Sequence, residues 1–311
     1  MDAAAALTPE GVLHRVRWRV VRRLDGRLQG DYRSVFRGSG LDFTDLREYV
    51  PGDDLRHLDW NVTARMDVPY VRQFVEDREV TAWLVLDSSP SMAFGPADRQ
   101  KSVVTAEIAA ALGQILVRGG NAVGAMVFDG STETGPGGRE RPRISTIRPA
   151  QGRRQVLRIL RTLLDGLEAN AVHPAPTDLG ALLRTATGVL RRRSLVVLVS
   201  DFISGPGWER PLSMLARRHD VVAIQVLDRR EFDLPDAGPL WIEDAETGEQ
   251  IFVDTSDAAF RTRLSDAARA RQAELAEAVT SSGTELHTVL TDEDLVRALA
   301  RIADLRSRRR R

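Results

Sequence analysis

Five apolar runs without polar alternation are spread along the chain. They cover residues 81–86, 122–128, 195–199, 221–227 and 286–290. Runs of this length and kind are typical of strands that are buried on both faces of a parallel sheet. We therefore expect these segments to build such a sheet.

Helical periodicity fills the stretches between the runs. Val104, Ile108, Leu112 and Ile115 fall on one face of a helix. The same kind of pattern occupies residues 155–167, 179–190 and 260–279. Strands that alternate with helices predict an α/β fold, a doubly wound, mostly parallel sheet with helices on both faces. In such folds a ligand binds beyond the carboxyl ends of the strands, where the strand order reverses.

Two segments depart from this alternation. Leu240, Ile242, Ile251 and Val253 alternate with polar neighbours on either side of a turn, which predicts a β-hairpin. The N-terminal zone has few long apolar runs and one predicted strand, at residues 70–74. We expect an N-terminal β-rich subdomain completed by the hairpin. The expected ranges are 1–78 for the N-terminal arm and subdomain, 79–306 for the main domain, 228–255 for the hairpin insert and 307–311 for a basic tail.

Composition narrows the classes of function. Lys plus Arg and Asp plus Glu both number 44, so the formal net charge is zero and no nucleic-acid partner is expected. The absence of cysteine excludes disulfides, thiolate metal sites and cysteine nucleophiles. No apolar stretch reaches the roughly 18 residues that cross a bilayer, and no secretory signal is recognisable. We expect a cytoplasmic protein.

Motifs of common enzymes are not recognisable. The sequence has no P-loop signature, no serine nucleophile elbow and no histidine pair at metal spacing, so we predict that the protein is not an enzyme. Lys101 is the only lysine, which we interpret as a compositional bias towards arginine. The arginine-rich ends could make a weak contact with the inner face of the membrane.

The strongest chemical signal is the sequence Asp87-Ser88-Ser89-Pro90-Ser91, directly after the first apolar run. It places one carboxylate and two hydroxyls, from Asp87, Ser89 and Ser91, in a loop at the carboxyl end of a strand. Oxygen ligands of this kind suit Mg²⁺ or another hard divalent cation such as Mn²⁺. The alternative is a serine-rich turn that satisfies its own backbone.

Thr177 and Asp201 strengthen the metal hypothesis. Thr177 lies in a loop that opens a helix, and Asp201 follows the run at residues 195–199. In a parallel sheet both positions fall on the same edge as Asp87, so the loops can converge. Thr177 could instead cap its helix, and Asp201 could be a strand-end turn residue. The occurrence of all these residues together favours the metal site.

This set of residues resembles the metal-ion-dependent adhesion site of von Willebrand factor A domains. The order of elements from about residue 80 to 306 is similar to that fold. The resemblance implies that Asp87, Ser89 and Ser91 are direct or near-direct ligands of the ion. It implies that Thr177 and Asp201 coordinate directly or through water, and that an acidic side chain of a protein partner completes the shell. Pro90 departs from the pattern, because it removes a backbone donor and stiffens the loop.

A longer pattern lies in the N-terminal zone. Residues 37–49 read Arg-Gly-Ser-Gly-Leu-Asp-Phe-Thr-Asp-Leu-Arg-Glu-Tyr, and residues 50–65 read Val-Pro-Gly-Asp-Asp-Leu-Arg-His-Leu-Asp-Trp-Asn-Val-Thr-Ala-Arg. This resembles the hallmark of the bacterial family called domain of unknown function fifty-eight, as does the Glu-Thr-Gly-Glu turn at residues 246–249. The resemblance implies an adaptor or co-chaperone whose partners are a MoxR-type AAA+ ATPase and other von Willebrand A proteins.

Three functions are open at this point. The favoured one is a metal-dependent protein-interaction module. The second is a metal-assisted hydrolase, in which the same ion activates water. The third is a scaffold without metal, held at the membrane surface by its basic ends.

Overall fold

The computed structural model describes residues 8–16, 45–51, 58–66, 68–73, 81–95, 99–135, 140–170, 177–244 and 248–310. Its strands are β1 (Asp45–Glu48), β2 (Tyr70–Gln73), β3 (Thr81–Asp87), β4 (Ala122–Thr134), β5 (Glu140–Ala150), β6 (Leu195–Ser200), β7 (Asp220–Leu227), β8 (Pro239–Glu243), β9 (Gln250–Asp254) and β10 (Glu285–Leu290). Its α-helices are α1 (Pro9–Val16), α2 (Trp60–Met66), α3 (Lys101–Arg118), α4 (Arg153–Asn170), α5 (Leu179–Val189), α6 (Glu209–Arg218), α7 (Ala258–Ser281) and α8 (Leu295–Arg310).

A six-stranded sheet in the order β10–β7–β6–β3–β4–β5 forms the centre of the molecule. The five strands from β10 to β4 are parallel, and β5 pairs antiparallel with β4 at one edge. All five predicted apolar runs are strands of this sheet. The prediction of a mixed α/β protein with a mostly parallel sheet is confirmed.

Alternate residues of each central strand face opposite layers of helices. In β3, Leu84 and Leu86 belong to a core shared with α1, α3, α4 and α8. Trp83 and Val85, which alternate with these two leucines along the strand, belong to a second core shared with α5, α6 and α7. Because both faces of the strand are covered, every position must be apolar, which explains the uninterrupted runs.

The direction of the strand order reverses beside β3. The chain passes from β3 outward to β4 and β5, and then returns to place β6 on the other side of β3. The two strands are parallel and in register, with Leu86 opposite Val199. Their carboxyl ends therefore open side by side, at the position where folds of this kind bind ligands.

The predicted hairpin exists, but it does not pair with the N-terminal strands. Within the described ranges, β1 pairs with β2 and β8 pairs with β9, in two separate sheets. The expectation that the hairpin completes an N-terminal sheet is therefore wrong for these residues. Hydrogen bonds join the two ends of the hairpin instead. The Thr255 backbone N–H and side-chain hydroxyl both donate to the Gly238 carbonyl.

The C-terminal segment is helical almost to its end. Residues 307–310 of the predicted basic tail are the last residues of α8. None of the helices in the described ranges has the length and apolar composition that crossing a membrane requires.

Substitution of Gly124 tests the close packing of the sheet. A Cβ at this position of β4 would lie 2.9 Å from Cε3 of Trp83 and 3.0 Å from the Ile147 carbonyl oxygen. We expect Gly124→Ala to lower the free energy of unfolding by about 1–3 kcal/mol through overpacking. Chemical denaturation measures this.

Gly188→Ala is the matched control for that variant. Gly188 lies in α5, and no described atom lies within 4 Å of its Cβ position. We expect this variant to be neutral or more stable by up to about 1 kcal/mol, because alanine favours helix over glycine. Equal effects at the two positions would contradict the packing described for β4.

Candidate functional site

Asp87 ends β3 and is held by hydrogen bonds from two directions. Its Oδ2 accepts a hydrogen bond of 2.6 Å from the Ser200 hydroxyl at the end of β6. Its Oδ1 accepts the Ser89 backbone N–H at 2.9 Å. The parallel pairing of β3 with β6 thus fixes one carboxylate at the point where the strand order reverses.

Ser89 and Ser91 follow Asp87 with their hydroxyls close together. The two Oγ atoms lie 3.2 Å apart, and both side chains are buried. Pro90 lies between them and is the first residue of the 3₁₀ turn Pro90–Ala93. A proline is tolerated at the first position of a turn, because the N–H it lacks would have no partner there. The departure noted in the motif is therefore compatible with this loop.

Asp201 follows β6 in a loop with an unusual backbone. Its Oδ1 accepts the backbone N–H of Ile203 at 3.0 Å. Phe202 has a φ of 62°, in the left-handed region that bulky residues avoid. Its N–H donates to the Ser200 hydroxyl at 2.9 Å, and its ring packs edge-on against Trp208. Strain of this kind persists where neighbouring contacts hold a functional loop in place.

Thr177 has a buried hydroxyl that finds no hydrogen-bond partner among the described residues. The residue is 3% exposed. The capping alternative is wrong, because Asp178 caps α5 through its Oδ1 and the Ala181 N–H, at 2.7 Å. The Thr177 carbonyl accepts a hydrogen bond of 2.9 Å from the Ser204 hydroxyl. This contact ties the Thr177 loop to the loop that carries Asp201.

Lys101 is the site residue that the sequence analysis missed. Its Nζ lies 2.7 Å from Oδ2 of Asp201 and 2.8 Å from Oε1 of Glu231, and the residue is 1% exposed. The ring of Phe94 lies 5.7 Å from the same ammonium. The interpretation of the single lysine as a compositional bias towards arginine gave no role to Lys101, and its two buried ion-pair contacts supply one. Its single occurrence in a chain rich in arginine was the signal that could have identified it.

Burial and neighbouring charge shift three pKa values at this edge of the sheet. Burial, with the charge of Asp201, raises the pKa of Asp87 to about 6. Burial also raises the pKa of Glu231, although the Lys101 ammonium opposes that shift. Burial lowers the pKa of Lys101, but Asp201 and Glu231 outweigh it and leave the pKa above its ordinary value. The ammonium therefore remains charged.

The donor set at this edge consists mainly of hydroxyls. Within the described ranges, no three His, Asp or Glu side chains form a group that could hold a metal ion. A cation here would depend on the hydroxyls of Ser89, Ser91 and Thr177 together with the carboxylate of Asp87. These are oxygen donors of the kind that Mg²⁺ accepts, and the Thr177 oxygen has no hydrogen-bond partner within the part of the chain that the structure describes. The chemical type of these donors suits a hard divalent cation.

The fold and this edge define an α/β protein with a hydroxyl-rich, acidic site at the reversal point of its sheet. The chain belongs to the family described as "Protein of unknown function DUF58", whose model matches residues 45–274. The uncharacterized protein Rv1480 of Mycobacterium tuberculosis is 36% identical over 289 residues, which cover 93% of this chain and 87% of that protein. The uncharacterized protein MAV169 of Mycobacterium avium is 40% identical over 140 residues, covering 44% of this chain and 81% of its own length.

Among solved structures, the conserved hypothetical protein BatB from Bacteroides thetaiotaomicron is similar with a TM-score of 0.42 and 12% identity. The match covers 74% of this chain and 99% of that one. Similarity at this level does not carry a function from one protein to the other.

Loss of the Lys101 ammonium should destabilise the protein strongly. Lys101→Met leaves the buried Asp201 carboxylate without its cation, and removal of one partner from a buried ion pair costs about 3–5 kcal/mol. We expect a loss of that size in the free energy of unfolding, measured by chemical denaturation.

Arg141→Met is the matched control, since both partners of its ion pair are largely exposed and its Nη2 lies 2.9 Å from Oε1 of Glu133. Surface pairs contribute about 0–1 kcal/mol, so a small loss is expected. If Lys101→Met cost no more than this control, the buried ion pair would not be a determinant of the site.

The raised pKa of Asp87 predicts a pH-dependent penalty in the absence of divalent cations. Its pKa rises from 3.8 to about 6 on folding, so the carboxylate destabilises the folded state above pH 6 and has no effect below about pH 4. Asp87→Asn carries no such penalty. The stability of Asp87→Asn relative to wild type should therefore increase as the pH rises from 4 to 6, by up to about 3 kcal/mol. Denaturation in EDTA across this range measures it, and a difference independent of pH would contradict the assignment.

Proposed function

We propose that the carboxyl edge around Asp87 is a divalent-cation site of the adhesion type, and that the protein is a metal-ion-dependent protein-interaction module. The observation that carries the proposal is the hydroxyl of Thr177. A buried polar atom without a partner costs free energy, and bound water or a bound ion is one way in which native proteins satisfy such an atom. Mg²⁺ is the ion that the donor set favours.

Three chain segments contribute side chains to the proposed site at this edge. The loop after β3 contributes the Asp87 carboxylate and the paired hydroxyls of Ser89 and Ser91. The loop before α5 contributes the hydroxyl of Thr177. The loop after β6 contributes Asp201, whose Oδ2 lies 2.7 Å from the Lys101 ammonium. A bound Mg²⁺ would leave one coordination position for a carboxylate oxygen of another protein.

The balance of buried charge supports the same function. Asp87, Asp201 and Glu231 bring three carboxylates, the buried Asp228 near Glu231 brings a fourth, and Lys101 brings one ammonium, so negative charge is in excess when all are ionised. Burial of unpaired charge is costly, and the pKa of Asp87 is raised because of it. A divalent cation would offset this excess.

The sheet order and the positions of these residues agree with the resemblance to von Willebrand factor A domains. On that resemblance we assign the protein a cytoplasmic role as adaptor or co-chaperone of a MoxR-type AAA+ ATPase. The partner, or another von Willebrand A protein in the same complex, would supply the acidic side chain.

The test is the response of the protein to Mg²⁺ in Thr177→Val. Wild type should gain about 2–3 kcal/mol of stability at ion concentrations near 100 times the Kd, because the ion binds only the folded state. Thr177→Val should fold as well as wild type in EDTA, since valine removes an unsatisfied hydroxyl, but it should lose most of the Mg²⁺ response. Thermal denaturation measures both.

Thr284→Val is the matched control. Thr284 precedes β10 at the amino edge of the sheet, and its buried hydroxyl also finds no partner among the described residues. This variant should keep the full Mg²⁺ response. In capture experiments from native lysate, wild type and Thr284→Val should retain a partner in Mg²⁺ and release it in EDTA. A partner retained equally by Thr177→Val, or retained in EDTA, would overturn metal-dependent binding.

A further inference from the structure

One face of the β8–β9 hairpin is exposed over its whole length. The strands pair with Pro239 opposite Asp254, Trp241 opposite Phe252, and Glu243 opposite Gln250. Side chains of directly opposed residues lie on the same face of a sheet, and the face changes at every step along the strand. These six residues therefore share one face, and all six are exposed. We call them the aromatic hairpin face.

Two aromatic rings occupy the centre of the aromatic hairpin face. Trp241 is 65% exposed and Phe252 is 58% exposed, and their ring centroids lie 5.2 Å apart in an edge-on arrangement. The opposite face holds Leu240, Ile242 and Val253, which are half-buried, and Ile251, which is 56% exposed. A slip of one residue in either strand would exchange the faces, so the partial burial of the aliphatic face fixes the exposure of the rings.

The base of the hairpin is held firmly. Thr255 is fully buried, and its hydroxyl donates to the Gly238 carbonyl at 2.7 Å. The Thr255 hydroxyl oxygen in turn accepts the Ala237 N–H at 2.9 Å. The Arg261 guanidinium in the first turn of α7 donates to the Thr255 carbonyl. The rings are therefore presented on a fixed support, which lowers the entropic cost of binding.

The segment that carries the rings has charges of one sign. Residues 231–257 contain nine Asp and Glu and no Lys, Arg or His, although the whole chain has a net charge of zero. Glu243 and Asp254 lie at two corners of the aromatic hairpin face itself. Aromatic faces attract cations, above all arginine, and carboxylates at the rim strengthen that attraction.

We propose that the aromatic hairpin face binds a cationic segment of a partner protein, with an arginine or lysine side chain against Trp241 and Phe252 and adjacent apolar residues beside it. This surface is separate from the Asp87 site and has the opposite preference, because the Asp87 site would select an acidic group. Nucleic acid and anionic lipid are repelled by the same carboxylates. The proposal does not depend on a bound ion.

The experiment is a selection of short random peptides displayed on phage, with the full chain as bait and EDTA present throughout. EDTA removes any contribution of the divalent-cation site, so failure here is distinguishable from failure of the proposed function. The peptides selected are synthesised, and their affinities are measured for wild type, Trp241→Ala and the double variant Glu243→Gln/Asp254→Asn. The expected peptides combine arginine or lysine with apolar residues. Each hairpin variant should weaken their binding by about fivefold or more.

Two control variants lie outside the hairpin. Met214→Ala removes an exposed apolar side chain from α6, and Glu274→Gln/Glu277→Gln removes two exposed charges from α7. Both should bind the selected peptides as wild type does. Replacement of arginine by citrulline in the peptide should weaken binding to wild type by a similar factor and leave binding to Trp241→Ala unchanged.

Other outcomes would overturn the proposal. These are the selection of acidic or purely apolar peptides, the recovery of no peptide specific to wild type, and equal losses in the control variants. Dimerisation of wild type that Trp241→Ala abolishes would also overturn it, since the occupant would then be a second copy of the chain. Sedimentation at increasing protein concentration measures that directly.

Discussion

The carboxyl edge of the sheet depends on the ion pairs that the buried Lys101 ammonium makes with Asp201 and Glu231. Lys101 is the first residue of α3, where the helix dipole disfavours a positive charge, and it is removed from water. Both the helix dipole and the burial disfavour a lysine at this position. The two carboxylates account for its presence, because their negative charges neutralise the ammonium and the ammonium neutralises them. The loop after β6 and the turn after β7 are thereby fixed to the same helix end.

The nature of the cation matters as much as its charge. Every other basic side chain apart from histidine is an arginine, whose planar fork suits two parallel hydrogen bonds to one carboxylate. Lys101 contacts two carboxylates that come from different loops, Asp201 and Glu231. A compact ammonium can direct its hydrogens to both, whereas a guanidinium would need more room in a closely packed position. The single lysine is therefore explained by geometry.

Much of the fold could be predicted because burial leaves a direct trace in sequence. The strands covered on both faces read as apolar runs, and all of them were found. The edge strand β5 was missed, because most of its residues are exposed or half-buried and it reads as a polar segment with scattered apolar residues. Strand partners leave no such trace, so the hairpin was expected to join the N-terminal strands, although its two strands and their alternation were correctly predicted.

The candidate site divides in the same way. Asp87, Ser89 and Ser91 stand together in the chain, so local reading could assign them, and the rule for parallel sheets brought Asp201 to the same edge. The pairing of Lys101 with Asp201 joins residues one hundred positions apart and follows no local pattern. The unpartnered hydroxyl of Thr177 is likewise a property of packing. It becomes visible only when Asp178 is seen to cap the helix in its place.

Glu231 connects the two surfaces for which binding is proposed. It lies in the turn after β7, where the acidic insert begins, and its ion pair with Lys101 attaches that insert to the edge that carries Asp201. The aromatic, acidic face and the proposed cation site thus lie on segments joined through one buried charge. A partner would need a basic segment for the first and a carboxylate for the second, and a protein that offered only one would bind weakly. Selectivity then arises from the requirement for both charges at once, since each surface repels the group that the other attracts.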